Sequence, residues 1–376
     1  MAAGEQRYVY KWRAPHALYA VGWSFRDCSA RMMGSRLAVG SFVDTGAPNS
    51  VTVLHAPLAR NQPVCARCAQ QGLVSSSTPR TTDGKINSTR CQCVRVLTSL
   101  PHMFPPSKIG WIPDIVGEHP DLLASSSDAL RLWRFDDNDQ GKLVCTLSPD
   151  STAAGGGIRN APLTAFDWSE VDVSTVATCA IDTTCTVWDV RAQAVHAQII
   201  AHDKEVYDVA LAPRDASNFA TVGADGSVRL FDLRALEHST IVYESTTPLL
   251  RLKWNRFHPN VLAALALGGD AVLMLDLRMP GSALAMLETS RQGQTGTPDD
   301  MLNALAWAPH SDAHVIAGGE RGLAYVWDVS DVANTKDAPR AGAATGFPST
   351  TTRGGALGRR RGAVEPALVY DARRPV

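Results

Sequence analysis

The amino-acid sequence predicts an all-β fold of the propeller type, in which short four-stranded sheets, the blades, stack side by side. Two observations carry this prediction. One unit recurs along the chain, and its strand-like runs place apolar residues on both of their faces. With 376 residues, of which 45% are hydrophobic, the chain is long enough to bury a large core in such a fold.

The recurring unit has five clear copies. They span residues 108–135, 163–191, 206–234, 249–278 and 302–329. Each copy holds three short runs rich in Val, Leu, Thr and aromatic residues, separated by Gly, Asp, Asn or Pro, which is typical of β-hairpins. The third runs end at Trp133, Trp188, Phe231, Leu275 and Trp327, so successive copies are 55, 43, 44 and 52 residues apart. A period of this size is typical of stacked repeats.

The third run of the 206–234 copy shows why both faces should be buried. In the sequence VRLFDL, Val228 and Leu230 point to one face while Phe231 and Leu233 point to the other. A strand with one face in water would alternate apolar and polar residues, so this strand is expected between two neighbouring sheets. The turn before it, Ala224-Asp225-Gly226, supplies residue types that tolerate a positive φ in a tight hairpin.

Signals for the first strand of a blade occur six times. They are Trp23, Trp111, Trp168, Leu211, Trp254 and Trp307. The sequence therefore predicts six repeats, with the earliest one near the N-terminus, and shows no seventh.

Two of the repeats end in Thr-Val-Trp-Asp at residues 186–189 and Tyr-Val-Trp-Asp at residues 325–328. In these segments the chain strongly resembles the WD40-repeat family. The resemblance implies a buried, hydrogen-bonded set in each blade, made of a His, a hydroxyl residue, an Asp and an aromatic residue. The residues assigned to these structural sets are His202, Thr221, Asp225 and Phe231 in one copy and Asp182 and Trp188 in the copy before it. The alternative, a Ser-His-Asp catalytic site, lacks a nucleophile elbow.

A more specific resemblance covers residues 8–54 and 100–329. Its longest segment runs from Ala201 to Glu244, and LYAVGWS, GWIPD and PLTAFDWSEVD add to it. These segments resemble the WD40 scaffold family of plant Transparent Testa Glabra and its animal counterpart, a cullin-4-associated WD-repeat factor that binds dual-specificity tyrosine-regulated kinases. The resemblance implies seven blades and a non-enzymatic platform for protein kinases or for MYB and basic helix-loop-helix transcription factors. It implies no cofactor and no small-molecule substrate.

Three copies carry Asp-x-Arg directly after the third strand. The pairs are Asp189 with Arg191, Asp232 with Arg234, and Asp276 with Arg278. This pattern resembles the WDxR box through which WD40 substrate receptors dock onto the adaptor of cullin-4 RING ubiquitin ligases. The alternative function is therefore a substrate receptor of such a ligase. A purely local reading also stays open, in which each Asp and Arg form a surface ion pair of little energetic consequence.

Two segments depart from the repeat pattern. Residues 59–95 form a predicted loop insertion that holds Cys65, Cys68, Cys91 and Cys93. Four thiolates could bind zinc, but the second pair is spaced Cys-x-Cys, so no metal site is assigned and incidental thiols remain the other reading.

After a propeller predicted for residues 8–330, residues 331–376 read as a low-complexity tail rich in Ala, Gly, Thr and Arg, which cannot fold alone. The last blade is therefore expected to be incomplete or divergent. In WD40 rings an N-terminal strand, here Tyr8 to Trp12, completes the last blade. Three explanations stay open: a six-bladed ring, a gene model whose 3′ end is wrong, or a seventh blade supplied by another segment or molecule. The tail's Gly358-Arg359-Arg360-Arg361-Gly362 could bind nucleic acid or direct nuclear import, but a solvated linker is the simpler interpretation.

Charge and hydropathy exclude several classes of function. A net charge of -1 argues against a whole-molecule nucleic-acid binder. The longest apolar stretches fall far short of the roughly 20 residues of a membrane helix. Without a recognisable secretory signal, a reducing compartment, the cytoplasm and nucleus, is expected, and the eight cysteines are expected to be mostly thiols.

Overall fold

The computed structural model describes residues 12–27, 34–57, 94–148, 161–289, 300–330 and 363–371. Within these ranges the chain forms 25 β-strands, which pair into six sheets. No helix in the described part of the chain is long and apolar enough to span a membrane. The structure divides into two compact units, residues 1–181 with 186–198, and residues 182–185 with 199–376.

The first unit holds three antiparallel sheets, numbered in chain order. The first sheet consists of β1 (Ala17–Asp27), β2 (Gly34–Phe42), β3 (Asn49–Pro57) and β4 (Arg95–His102). The second consists of β5 (Lys108–Trp111), β6 (Leu122–Ser126), β7 (Leu130–Phe135) and β8 (Gly141–Leu147). The third consists of β9 (Leu163–Trp168), β10 (Thr175–Ala180), β11 (Thr184–Asp189) and β12 (Ala194–Ile200), although the first residues of β11 fall in the second unit.

The second unit holds the other three sheets. The fourth consists of β13 (Val206–Leu211), β14 (Asn218–Gly223), β15 (Ser227–Asp232) and β16 (Ser239–Glu244). The fifth consists of β17 (Leu249–Trp254), β18 (Val261–Ala266), β19 (Ala271–Asp276) and β20 (Ala283–Glu288), with β24 (Ala363–Val364) at its edge. The sixth consists of β21 (Leu302–Trp307), β22 (His314–Gly319), β23 (Leu323–Asp328) and β25 (Leu368–Asp371).

In each sheet the first three strands follow one another as an antiparallel meander, while β4 of the first sheet comes after the long insertion and β24 and β25 come from the C-terminal segment. The six residues predicted to mark first strands all lie in β1, β5, β9, β13, β17 and β21. Between β14 and β15 the turn contains Gly226 with φ of 79°, as the sequence Ala-Asp-Gly predicts. The prediction of six repeats is thus met by six blade-like sheets in the described residues, and the seventh blade that the resemblance implies stays a prediction.

The cores lie between neighbouring sheets, which explains the apolar residues on both faces of the strands. Phe166 and Trp188 of the third sheet share a buried cluster with Leu132 of the second. In the second unit, Val228 of the fourth sheet packs in a cluster with Leu262 and Leu275 of the fifth. Burial of a large apolar side chain contributes about 1.5–3 kcal/mol, so these clusters are the main stabilisation of each unit.

The C-terminal segment departs from the sequence prediction. Its residues 363–364 pair in parallel with β20, and residues 368–371 pair antiparallel with β23 along Leu323–Val326. The sixth sheet is therefore four-stranded, and the edge expected to receive Tyr8 to Trp12 is occupied by β25. These short runs need not fold alone, because each one completes hydrogen bonds at the edge of an existing sheet. Residues 8–11 and nearly all of the insertion at 59–95 lie outside the described residues.

Candidate protein-docking sites

In the fourth sheet, hydrogen bonds join three of the four residues that the sequence assigns to its structural set. The imidazole of His202, just before β13, has its Nδ1 atom 2.9 and 3.0 Å from the two carboxylate oxygens of Asp225. Its Nε2 atom lies 2.8 Å from Oγ1 of Thr221 in β14. A carboxylate only accepts hydrogen bonds, so Nδ1–H donates to Asp225 and Nε2 accepts the Thr221 hydroxyl proton. His202 and Thr221 are both buried.

The charges of this set fit a structural role. Burial lowers the pKa of His202, and the attraction of Asp225 offsets this only in part. Burial raises the pKa of the Asp225 carboxyl, but hydrogen bonds from Ser227 and His202 outweigh it and leave the pKa below its usual range. Arg229 also donates to this carboxylate, at 3.1 Å. A neutral imidazole and an ionised carboxylate therefore hold the β14–β15 turn against the start of β13.

Phe231 takes the aromatic position of the set without a hydrogen bond. Its ring stacks on Phe219 with centroids 5.1 Å apart. A phenyl ring has no N–H to offer Thr221, so packing replaces the bond that an indole makes elsewhere.

The third sheet contains only part of the predicted set. Nε1 of Trp188 donates to Oγ1 of Thr178 at 2.9 Å, and both residues are buried. Asp182 instead lies at the exposed turn, where it accepts the backbone N–H and the hydroxyl of Thr184. No histidine joins these residues among the described contacts, so the structure places Asp182 and Trp188 in separate interactions.

The second sheet contains a set that the sequence analysis missed. His102, at the end of β4, has Nε2 2.8 Å from Oγ of Ser125, and Nε1 of Trp133 donates to the same Oγ at 2.9 Å. The pKa of His102 is lowered to about 4, mainly by burial and also by the nearby Arg131, while Asp128 acts in the opposite direction. The signal was present as a His upstream of a Ser-Asp turn and a third-strand Trp. It was hidden because His102 ends one sheet and serves the next.

The Asp-x-Arg pairs of the fourth and fifth sheets are closed on themselves. Arg234 donates through Nε and Nη2 to the Asp232 carboxylate, at 2.9 and 2.7 Å. Arg278 binds Asp276 in the same way, at 2.9 and 2.6 Å. The Arg234 hydrogen bond holds the pKa of Asp232 at about 2. The Arg234 side chain is 70% exposed, so water can replace its bonds to Asp232 at little cost. Arg278 is 64% exposed, but its Asp276 partner is only 5% exposed, so water replaces those bonds less easily.

The Asp-x-Arg pair of the third sheet is arranged differently. The Asp189 carboxylate accepts the backbone N–H groups of Arg191 and Ala192, at 2.8 and 2.9 Å. The Arg191 guanidinium is exposed and has no carboxylate in ion-pair contact among the described residues. It lies near enough to Asp172 to lower that carboxyl's pKa, although hydrogen bonding by Ser174 has the larger effect. Arg191 therefore offers its donors to solvent or to a partner.

Metal binding finds no support in the described ranges. No group of three or more His, Cys, Asp or Glu side chains there is placed to hold an ion. Cys65, Cys68, Cys91 and Cys93 all lie outside the described residues, so zinc binding by them stays a hypothesis. The described cysteines that form no disulfide are Cys145, Cys179 and Cys185.

Comparison with known proteins agrees with the repeat structure. The family model described as WD domain, G-beta repeat, matches residues 194–232, which run from β12 through β15. The DDB1- and CUL4-associated factor 7 homolog of Dictyostelium discoideum is 36% identical over 330 residues, covering 87% of this chain and 86% of that protein. The chain belongs to the WD40-repeat family of the DDB1- and CUL4-associated factor 7 homologs. Proteins of this family are typically adaptors without catalytic activity.

Two fungal members of the WD-repeat family align over shorter ranges. An uncharacterised WD repeat-containing protein of Schizosaccharomyces pombe is 39% identical over 258 residues, covering 63% of this chain and 57% of that protein. A WD repeat-containing protein of Saccharomyces cerevisiae is 34% identical over 261 residues, covering 61% and 48%. These findings support the cullin-4-associated part of the predicted resemblance, while the link to plant Transparent Testa Glabra stays a prediction.

Proposed function

We propose that this protein is a non-enzymatic adaptor that acts as a substrate receptor of a cullin-4 ubiquitin ligase. The observation that carries the proposal is the 36% identity, over most of both chains, to a protein whose name associates it with DDB1 and CUL4. The three Asp-x-Arg motifs supply candidate docking residues for the proposal. This function was the alternative in the sequence analysis, and the comparisons favour it over the kinase and transcription-factor scaffold placed first.

The arginines of the three motifs would contribute unequally to docking. No carboxylate of the described residues occupies the donors of Arg191, so a partner's carboxylate or carbonyl can accept directional hydrogen bonds from them at once. Arg234 and Arg278 must first exchange their own Asp partners. That exchange costs little for Arg234, whereas the buried Asp276 carboxylate holds Arg278 more firmly. Both arginine side chains are exposed, so their remaining donors can still add to the interface.

The test is a binding assay between the purified full-length chain and purified DDB1. Arg191→Glu and Arg234→Glu are measured singly and together, since charge reversal converts attraction to repulsion. Lys204→Glu is the matched control, because Lys204 is also exposed but lies before β13, at the opposite end of the fourth sheet from Arg234. We expect the double variant to lose binding and the control to retain it. Unchanged binding by the double variant would refute docking through these motifs.

A scaffold for protein kinases or for MYB and basic helix-loop-helix factors is the second proposal. Its support is the resemblance of the run from Ala201 to Glu244, which forms the fourth sheet with the hydrogen bonds between His202, Thr221 and Asp225. Affinity purification from the cytoplasm and nucleus, the proposed compartments, tests both functions. Kinases or transcription factors recovered equally with the wild type and the double variant would favour the scaffold, and their absence would count against it.

A further inference from the structure

A cavity of about 200 Å³ lies between the second and third sheets, within the first unit. Its walls are mainly apolar. The apolar side chains that line it are Ile112, Leu122, Leu132, Val144, Val173 and Val190. Arg134 and Arg191 belong to the same lining, together with the half-buried thiol of Cys145. None of these side chains takes part in the hydrogen-bonded sets described above.

Two exposed arginines, Arg134 and Arg191, give the lining of this cavity a positive charge. Arg134 follows Trp133 at the end of β7, the place where β11 has Asp189 after Trp188. An arginine thus stands where the third sheet has its carboxylate, and Arg134 has no acidic partner among the described residues. The nearest acidic influence on Arg191 is Asp172, whose carboxylate is already engaged by Ser174 and Thr175 hydroxyls.

The size of the cavity limits what it can hold. Pockets for whole small molecules usually measure about 300–1,000 Å³, so this one suits one or two apolar side chains of a larger partner. Two unpaired guanidiniums beside it favour carboxylates, which they bind through directional, charge-assisted hydrogen bonds. The cavity therefore suits a ligand that combines an apolar side chain with a neighbouring carboxylate.

We propose that this cavity binds a short peptide segment of a partner protein, in which an apolar side chain enters the cavity and neighbouring Asp or Glu residues pair with Arg134 and Arg191. The site goes beyond the proposed ligase docking. It shares Arg191 with the proposed docking motifs, but Arg134, Val144 and Cys145 belong to no Asp-x-Arg motif. Substitutions at these residues consequently separate the two proposals.

The test is selection of a random peptide library on the full-length protein, followed by affinity measurement on a peptide made from the enriched motif. We expect enrichment of an apolar residue next to Asp or Glu. Arg134→Glu should weaken peptide binding at least several-fold, because charge reversal replaces an attraction for the acidic residues with a repulsion. Val144→Trp, which narrows the apolar part, should also weaken it, whereas Lys204→Glu should not. Both variants change exposed positions, and circular dichroism checks that they fold.

Cys145 supplies a local readout of occupancy. Burial raises the pKa of its thiol, so alkylation is followed by mass spectrometry at alkaline pH. Bound peptide should slow modification of Cys145 in the wild type and not in Arg134→Glu. The proposal is overturned if the selection enriches no motif or enriches one without acidic residues. It is also overturned if the variants bind the peptide as tightly as the wild type, or if bound peptide does not slow the alkylation of Cys145. DDB1 binding of Arg134→Glu is measured in parallel and should be retained, so each proposal can fail without the other.

Discussion

The buried His102 predicts a specific pH dependence of stability. In the folded protein Ser125 accepts the indole N–H of Trp133 and donates its own proton to Nε2 of His102. That arrangement requires a neutral imidazole, because a protonated ring would present a second donor to Ser125. Burial, with Arg131 nearby, accordingly lowers the pKa of His102 to about 4.

The sign and size of the effect follow from linkage. The unfolded chain has a histidine pKa of about 6.5, so below this value the unfolded state binds the extra proton and the folded state does not. Stability from His102 is therefore complete above pH 6.5 and falls as the pH drops toward 4. At about pH 5 the loss is about 2 kcal/mol, on the scale of 1.36 kcal/mol per pKa unit. Asp128 does not contribute in this window, since Arg131 and Ser127 outweigh its burial and hold its pKa at about 2.

The assay is urea unfolding of the wild type and of His102→Gln, followed by tryptophan fluorescence, at about pH 7.5 and about pH 5. His202 titrates in the same direction, but it is present in both proteins and cancels in the comparison. The wild type should lose about 2 kcal/mol more between the two pH values than the variant does. Equal losses, or an NMR titration that puts the folded His102 pKa near 6.5, would refute this reasoning.

Two further predictions concern stability. Gly226→Ala should destabilise by roughly 2–4 kcal/mol in chemical unfolding, because φ is positive and a Cβ would collide with the Ser245 carbonyl. Gly46→Ala, with φ of +81° and open space around it, should cost only about 1 kcal/mol; similar losses for the two would contradict the clash. Trp188→Phe removes the buried bond to Thr178 and should cost about 1–2 kcal/mol by the same measurement. Thr178→Val should destabilise the Trp188→Phe variant less than it destabilises the wild type. Fully additive losses would argue against coupling between Trp188 and Thr178.

The hydrogen-bonded sets show how far local patterns reach. The resemblance to the WD40-repeat family identified His202, Thr221 and Asp225, and in the structure the pairing of β13 with β14 brings them together. His102 could not be placed so readily, since it ends β4 of one sheet while its partner Ser125 belongs to another. Asp182 lies at the expected position in its repeat, but no histidine contacts it among the described residues. Its carboxylate instead accepts a hydrogen bond from Thr184 in the same turn.

For the candidate docking residues, the Asp-x-Arg pattern does not show which arginines are already paired. The three motifs share a sequence pattern, yet Arg234 and Arg278 are bound by their own Asp side chains and Arg191 is not. An arginine side chain has several rotatable bonds and can reach different acceptors. Which acceptor it binds depends on neighbouring residues outside the motif. Pattern matching identifies these residues, and only the structure separates the occupied guanidiniums from the available one.

By itself, the sequence determined the repeat, the all-β class and the six first strands, because alternation, turn residues and period are properties of consecutive residues. Tertiary structure decided the rest. It brought residues 363–371 to the edges of the fifth and sixth sheets and enclosed a cavity between the second and third. Sheet edges and cavities arise from surfaces formed by residues distant in sequence, so they exist only once the sheets have packed.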